Sequence, residues 1–206
     1  MTAKHTSNSR AKVANEAALL LYMGQEKEYK QAKLKAAEML GVRILPSNAE
    51  VAEALDRVAE EREGEEKKNR LVLMRQEALQ MMRLLQSTNP KLTGSVWRGT
   101  ANKNSDIDIV TFSDNPHIVL RKLEQSNYKI TRTEWQSVTK HGEEIRTFHI
   151  HLTLSLGNKA EVIVRSTERM HVREICETYG DVQTGLNTQQ LQRILKIAPT
   201  QKFTPT

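Results

Sequence analysis

The segment from Leu92 to Val110 constrains the fold of this 206-residue chain more than any other. Its last five residues read Asp-Ile-Asp-Ile-Val, and this alternation predicts a strand with one polar and one apolar face. The two carboxylates, Asp106 and Asp108, would therefore share one face, with the isoleucines on the other. The sequence thus predicts a sheet that presents two carboxylates side by side.

Two ionised carboxylates so close together repel each other unless a cation lies between them. Hard oxygen ligands favour Mg²⁺, whose coordination is often completed by substrate phosphates. Upstream, Gly94-Ser95 follows a short apolar segment, where a strand could turn into a helix with free backbone N–H groups. Gly94 would allow close approach of a phosphate, and the Ser95 hydroxyl would either add a donor or cap the helix. The segment predicts a phosphate-binding turn beside a metal site.

Gly94-Ser95, a short spacer, and then Asp106-x-Asp108 resemble the signature of the polymerase-beta-like nucleotidyltransferase superfamily. The motifs Gly-Ser-x-x-Arg-Gly-Thr and Ser-Asp-Ile-Asp-Ile are especially similar to those of minimal nucleotidyltransferases and of CCA-adding and terminal RNA nucleotidyltransferases. The likeness covers about residues 75 to 166. It implies transfer of a nucleoside monophosphate from an NTP to an acceptor hydroxyl, with two Mg²⁺ ions, or Mn²⁺ in their place.

The resemblance also implies a third carboxylate on a neighbouring strand, and Glu161 in the strand 159–165 is the candidate. The family usually has Asp at this place. The preceding strand, 146–156, would pair with it through a tight turn. A two-residue turn would set Glu161 opposite Leu154, and a three-residue turn would set it opposite Ser155. We favour the second, because it puts Glu161 on the polar face.

Other polar residues near the signature have two interpretations each. Arg98 would neutralise the triphosphate or pair with a surface acid, and Lys103 is a weaker candidate for the triphosphate. His149 and His151 would contact substrate or be satisfied within the sheet, and Trp97 is expected in the core. The predicted catalytic and metal-binding residues are Asp106, Asp108 and Glu161, and the predicted nucleotide-binding residues are Gly94, Ser95, Arg98 and Lys103.

The pattern along the chain predicts an α+β protein, with a helical N-terminal half followed by a small mixed β-sheet nucleotidyltransferase domain with flanking helices. We divide it into a helical region (1–70), a catalytic domain (71–170) and C-terminal helices with a tail (171–206). Ser47 and Glu50 form a capping-box pattern, and Gly64 would divide the helical run that follows. The further expected elements are helices at 11–23, 25–40, 171–179 and 188–197, a loose tail at 198–206, and an apolar packing stripe at Leu71, Met74, Ala78, Met81 and Leu85.

The formal charge of +6 and the pI near 9.4 favour a polyanionic partner. With three Phe, two Trp and four Tyr, the chain has too few aromatic residues for a broad single-strand platform, so contacts to a nucleic-acid backbone would dominate. Charge and motif together rank an RNA 3′ end, tRNA-like for preference, above a protein hydroxyl as in AMPylation, and both above a small molecule. The NTP is the other expected partner.

A single cysteine, Cys176, excludes an internal disulfide. Residues 1–12 lack the apolar run of a signal peptide, and the apolar stretch 17–23 is too short to span a bilayer. We therefore expect a cytoplasmic protein with no membrane partner. The helical half would clamp the acceptor, form an oligomer interface or cover the sheet. Two other functions remain open, a nucleotide-binding interaction module with little turnover and a plain nucleic-acid-binding protein.

Overall fold

The N-terminal half is helical, as expected. The computed structural model describes residues 2–140 and 143–205. Four helices come first: α1 (Thr2–Tyr22), α2 (Tyr29–Met39), α3 (Asn48–Glu63) and α4 (Glu65–Leu84). The capping box is confirmed, because the Ser47 hydroxyl accepts from the Glu50 N–H and the Glu50 carboxylate accepts from the Ser47 N–H. Gly64, with φ of +53°, separates α3 from α4 as predicted.

Small side chains form the contact between the first three helices. Ala17 and Ala18 of α1, Ala36 of α2 and Ala54 of α3 are all fully buried. Side chains of this size let the helix backbones approach closely, and the larger Tyr29 packs against the edge of the cluster. Among the described residues, no helix is both long and apolar enough to cross a membrane.

The second half contains one mixed sheet. Its strands are β1 (Lys91–Thr93), β2 (Ile107–Phe112), β3 (Lys129–Lys140), β4 (Glu143–Thr153), β5 (Lys159–Arg165) and β6 (Leu186–Asn187), in the order β3-β4-β5-β2-β1-β6. Strands β2 and β5 are parallel, whereas the other neighbours are antiparallel. Three helices accompany them: α5 (Gly94–Arg98), α6 (Pro116–Gln125) and α7 (Thr188–Ile197). The predicted α+β class and the helix at 188–197 are confirmed.

Helix α4 covers the sheet with its apolar stripe. All five predicted stripe residues are at most 3% exposed and belong to the same hydrophobic cluster as Ile107 and Ile109. Burying each leucine or methionine of the stripe contributes ~1.5–3 kcal/mol relative to leaving it in water. The prediction that the methionines of this stripe serve packing is confirmed.

The predicted helix at 171–179 is wrong. A short 3-10 helix ends at His171, and the chain then forms an irregular loop, 172–185. The loop is closed by the Cys176 N–H, which donates to the Asp181 carbonyl at 2.8 Å, and by a bridge between Ile175 and Val182. Val172 and Ile175 are 47% and 58% exposed, so the segment has no buried apolar face that would hold a helix against the sheet.

The predicted loose tail at 198–206 is also wrong for the residues that the structure describes, which end at 205. The reason is Arg75, a fully buried residue of α4. Its guanidinium donates to the carbonyls of Pro199 and Gln201 in the tail, at 2.7 and 2.9 Å. It also donates to the carbonyls of Val96 and Trp97, at 3.1 and 2.9 Å. The last carbonyls of a helix lack partners within it, so Arg75 both caps α5 and fixes the tail.

We expect Arg75→Met to lower the free energy of unfolding by ~2–4 kcal/mol, because it leaves four main-chain carbonyls without their donor. Burial lowers the pKa of Arg75 to about 10, so the native residue remains charged at neutral pH. Urea unfolding measures the effect. Arg83→Met is the matched control, since Arg83 lies exposed on the same helix and should cost less than ~0.5 kcal/mol. Equal losses in the two variants would contradict this role of Arg75.

Candidate active site

The pairing of β2 with β5 brings the predicted carboxylates together. Ile107 and Ile109 of β2 are fully buried, so Asp108 between them points to the opposite face. The parallel register places Asp108 directly beside Glu161. Asp106 lies one residue before β2 and is exposed. The shared face that the alternation predicts is therefore occupied by three acidic side chains.

Burial and, after it, neighbouring negative charge disfavour the ionised forms of Asp108 and Asp106. Burial raises the pKa of Asp108 to about 7, and the negative charges of Glu161 and Asp106 add to this effect. Partial desolvation of its carboxyl group also raises the pKa of Asp106, while the nearby Lys159 ammonium opposes that shift. Such repulsion is relieved when a cation binds between the oxygens. The cluster is thus electrostatically prepared for a positive ligand.

The predicted registers of the hairpin β4–β5 are both wrong. Glu161 lies opposite His151, and neither Leu154 nor Ser155 faces it. Strand β4 ends at Thr153, and residues 154–158 form a longer turn in which the Leu154 N–H donates to the Asn158 carbonyl at 2.8 Å. His151 belongs to the polar face of β4, so the predicted face of Glu161 is right although its partner is not.

Two histidines of β4 contact Glu161. His149 is 7% exposed, and its Nδ1 atom lies 2.6 Å from Glu161 Oε1 while its Nε2 atom lies 2.7 Å from the Thr147 hydroxyl. His151 Nε2 lies 3.2 Å from Glu134 and 3.7 Å from Glu161. Both rings therefore have partners within the sheet. Of the two interpretations, satisfied sheet histidines fit these contacts, and His149 holds the Glu161 side chain in place.

The Gly94–Ser95 turn lies against Asp108. Strand β1 pairs with β2 so that Thr93 faces Asp108, and α5 starts at the next residue. Gly94 has φ of +66°, and a Cβ atom there would come within 1.9 Å of Asp108 Oδ2. Both the backbone conformation and the space therefore require glycine. The first N–H groups of a helix have no partner within it, so the turn offers donors beside the carboxylates.

Arg98 is engaged in the protein interior. It is 4% exposed, pairs with both carboxylate oxygens of Asp181 and donates to the Phe203 carbonyl at 2.7 Å. The guanidinium carbon lies 4.1 Å from the Trp97 ring centroid and 4.9 Å from that of Tyr179. Arg98 was expected either to neutralise the triphosphate or to pair with an acid, and the structure shows it paired with an acid. Trp97 is 3% exposed, so its prediction as a core residue is confirmed.

The helical half holds the loop that leads to Asp106, and the sequence did not reveal this. The Asn104 side-chain amide donates to the carbonyls of Tyr22 and Leu21 at the end of α1, at 2.8 and 3.3 Å. The Lys103 N–H donates to Glu63 Oε1 at 3.1 Å. The end of α1 signalled free carbonyls in need of donors, but no local pattern identified Asn104 as their partner.

Lys103 remains a candidate for contacting phosphate. Its side chain is exposed, and its Nζ atom lies 4.3 Å from the centre of the Tyr22 ring. A lysine over an aromatic face keeps its charge and its three N–H donors.

The three carboxylates fit a hard divalent cation by chemistry, since they supply oxygen ligands and repel each other in its absence. Among the described residues, no group of three or more His, Cys, Asp and Glu side chains is already arranged to hold a metal ion. The ligand roles of Asp106, Asp108 and Glu161 stay predictions.

A comparison with protein families decides what kind of domain contains this site. The family model described as nucleotidyltransferase domain matches residues 80–176. This chain carries a nucleotidyltransferase domain. The matched range includes the Gly94–Ser95 turn, the Asp106–Asp108 pair and Glu161, so the three parts of the site lie within the nucleotidyltransferase domain. No curated protein matches the chain.

Solved structures with partial similarity include a cytoplasmic RNA terminal U-transferase, with 22% identity and a TM-score of 0.29, covering 48% of this chain and 28% of that one. The poly(U) polymerase Cid1 shows 19% identity and a TM-score of 0.33, with 50% and 34% covered. The GLD-2/RNP-8 complex shows 13% identity and a TM-score of 0.34, with 61% and 45% covered. This chain therefore spans less than half the length of each, and overlaps of this size carry no information on its substrate.

We expect the stability gained by Asp108→Asn to increase with pH. The folded pKa of Asp108, about 7, lies above its ordinary value of 3.8, so ionisation destabilises the folded state as the pH rises through this interval. Asparagine removes that cost, which amounts to at most ~4 kcal/mol. Urea unfolding in EDTA from about pH 4 to about pH 8 measures the difference.

Asp114→Asn is the control with the opposite sign. Hydrogen bonds from Thr167 lower the pKa of Asp114, so this variant should lose stability relative to the wild type as the pH rises. An Asp108→Asn difference that stays constant over the pH range would contradict the electrostatic account of the cluster.

Proposed function

We propose that this chain transfers a nucleoside monophosphate from an NTP to an acceptor hydroxyl, with release of pyrophosphate. The observation that carries the proposal is the contact between the Gly94 turn and Asp108, with Glu161 on the adjacent strand. A phosphate at the turn and a carboxylate beside it would repel each other, so their combination requires a cation between them. That arrangement is the chemistry of metal-dependent phosphoryl transfer.

The proposed roles follow from where the side chains lie. The N–H groups of Gly94 and Ser95 bind the triphosphate, with Lys103 adding positive charge. Asp106, Asp108 and Glu161 hold Mg²⁺, as one or two ions, with Mn²⁺ as the alternative. When bound, the metal neutralises charge on the phosphates and favours the ionised acceptor.

In the proposed reaction, a group of this chain takes up the proton that the acceptor hydroxyl loses. The acceptor oxygen attacks the α-phosphorus, and its proton passes to a carboxylate oxygen of Glu161, which His149 positions from β4. A bond forms between the acceptor oxygen and the α-phosphorus. The bond from the α-phosphorus to the α–β bridging oxygen breaks, and pyrophosphate leaves.

For the acceptor we propose an RNA 3′ end, tRNA-like for preference. A cavity of about 600 Å³ is lined by Lys27, Lys103 and Lys159, and also by Asp106 and by Glu26, whose carboxylate pairs with Lys35. Three lysines at one opening suit a chain of phosphates, and the net charge of +6 acts in the same direction. A protein hydroxyl or a small molecule is the second choice, and a binding module with little turnover is the third. We place the activity in the cytoplasm, and association through the helical half stays a prediction.

Incubation with each labelled NTP in turn, Mg²⁺ and total RNA or total protein tests the proposal. We expect label in the RNA fraction, stoichiometric pyrophosphate release, and a loss of ~100-fold or more in Asp106→Asn and Asp108→Asn. Asp114→Asn, outside the cluster, should retain activity. Pyrophosphate release that is equal in all variants, or absent from the wild type, would exclude the enzymatic function, and label in protein alone would exclude the RNA acceptor.

A further inference from the structure

A smaller cavity of about 190 Å³ opens beside the Gly94–Ser95 turn. Besides the turn, its walls come from α5 and the loop that follows it, and from two parts of the chain that are more distant in sequence. Tyr29 and Leu55 belong to α2 and α3 of the helical half, while Tyr179 and Gln183 belong to the loop 172–185. We call this cavity the tyrosine pocket. Tyr29 and Leu55 also line the lysine-lined cavity next to Asp106, so the two cavities adjoin.

The tyrosine pocket differs in charge from its neighbour. Among the described residues that line it, Arg98 is the one with a charged side chain, and that charge is already paired with Asp181. Burial raises the pKa of Tyr29 and raises that of Tyr179 to about 12, so both rings are neutral at physiological pH. The pocket therefore suits an uncharged group, whereas the lysine-lined cavity suits phosphates.

The volume and the lining of the tyrosine pocket restrict which kind of group could bind there. Cavities that enclose a whole drug-sized molecule measure ~300–1,000 Å³, so about 190 Å³ suits one ring system. Both tyrosine rings are half-buried and line the cavity. Aromatic side chains stack on heterocyclic bases of any sequence. The Gln183 amide and the Thr178 hydroxyl line the same cavity and are able to donate and accept hydrogen bonds at a base edge.

We infer that the tyrosine pocket binds the base of the nucleotide whose phosphates lie at the Gly94–Ser95 turn. This inference rests on the proposed function. It gives the helical half a direct role, because Tyr29 and Leu55 form one wall of the nucleotide site. The nucleotide would thus bridge the sheet and the helical half, with its phosphates at α5 and its base against α2 and α3.

Two ligands distinguish the contribution of the base to binding from that of the phosphates. Inorganic tripolyphosphate has the phosphates alone, whereas a non-hydrolysable NTP has both, and calorimetry with Mg²⁺ measures each dissociation constant. We expect Tyr29→Ala, which removes a ring, and Leu55→Trp, which fills the pocket, to weaken NTP binding by ~10-fold or more. Tripolyphosphate binding should change less than ~2-fold, and Tyr29→Phe, which keeps the ring, should bind the NTP like the wild type.

Tyr128→Ala is the matched control. Tyr128 is also half-buried, but it lines a separate cavity with Glu77 and Leu156, so its variant should bind both ligands normally. NTP binding that is unchanged in Tyr29→Ala and Leu55→Trp, or weakened no more than tripolyphosphate binding, would overturn the tyrosine pocket alone. Failure of the wild type to bind either ligand would overturn the proposed function together with the pocket.

Discussion

The buried guanidinium of Arg75 is the contact on which the geometry of the site depends. It joins α4 to the end of α5 and to the C-terminal tail through four main-chain carbonyls. Helix α5 has only five residues, so its own hydrogen bonds are too few to fix its direction. Arg75 fixes one end, and the contact of Gly94 with Asp108 fixes the other. The phosphate-binding turn and the carboxylates are thereby held as one unit.

This unit is electrostatically unfavourable by itself. Burial, together with the negative charge of the neighbouring Glu161, disfavours the ionised form of Asp108 and raises its pKa to about 7. The buried isoleucines on the other face of β2 and the six-residue pairing with β5 offset that cost. Unfavourable electrostatic energy at one place, within a structure that is otherwise well packed, is typical of a functional site. The helical half contributes by holding the loop before Asp106 through Asn104 and Glu63.

Features set by neighbouring residues could be predicted from the sequence. The alternation of polar and apolar residues around Asp108 predicted which face of the sheet its side chain occupies. The Ser47–Glu50 capping box predicted where α3 starts, and Gly64 predicted where α3 ends. Features that depend on distant partners could not. Arg75 lies on the same face of α4 as the apolar stripe, which signals burial, but its acceptors, among them the carbonyl of Gln201, are remote in sequence. The hairpin register was wrong for a different, local reason, because backbone hydrogen bonds within the turn 154–158 make it longer than the two or three residues expected.

Binding of Mn²⁺, followed by electron paramagnetic resonance, tests most directly that the turn and the carboxylates form one site for metal and phosphate. We expect the wild type to bind Mn²⁺ more tightly when a non-hydrolysable NTP is present, because the two ligands share the cation. Asp108→Asn and Glu161→Gln should each weaken Mn²⁺ binding by ~10-fold or more. Equal Mn²⁺ affinity in the wild type and both variants, with or without the NTP, would contradict the account.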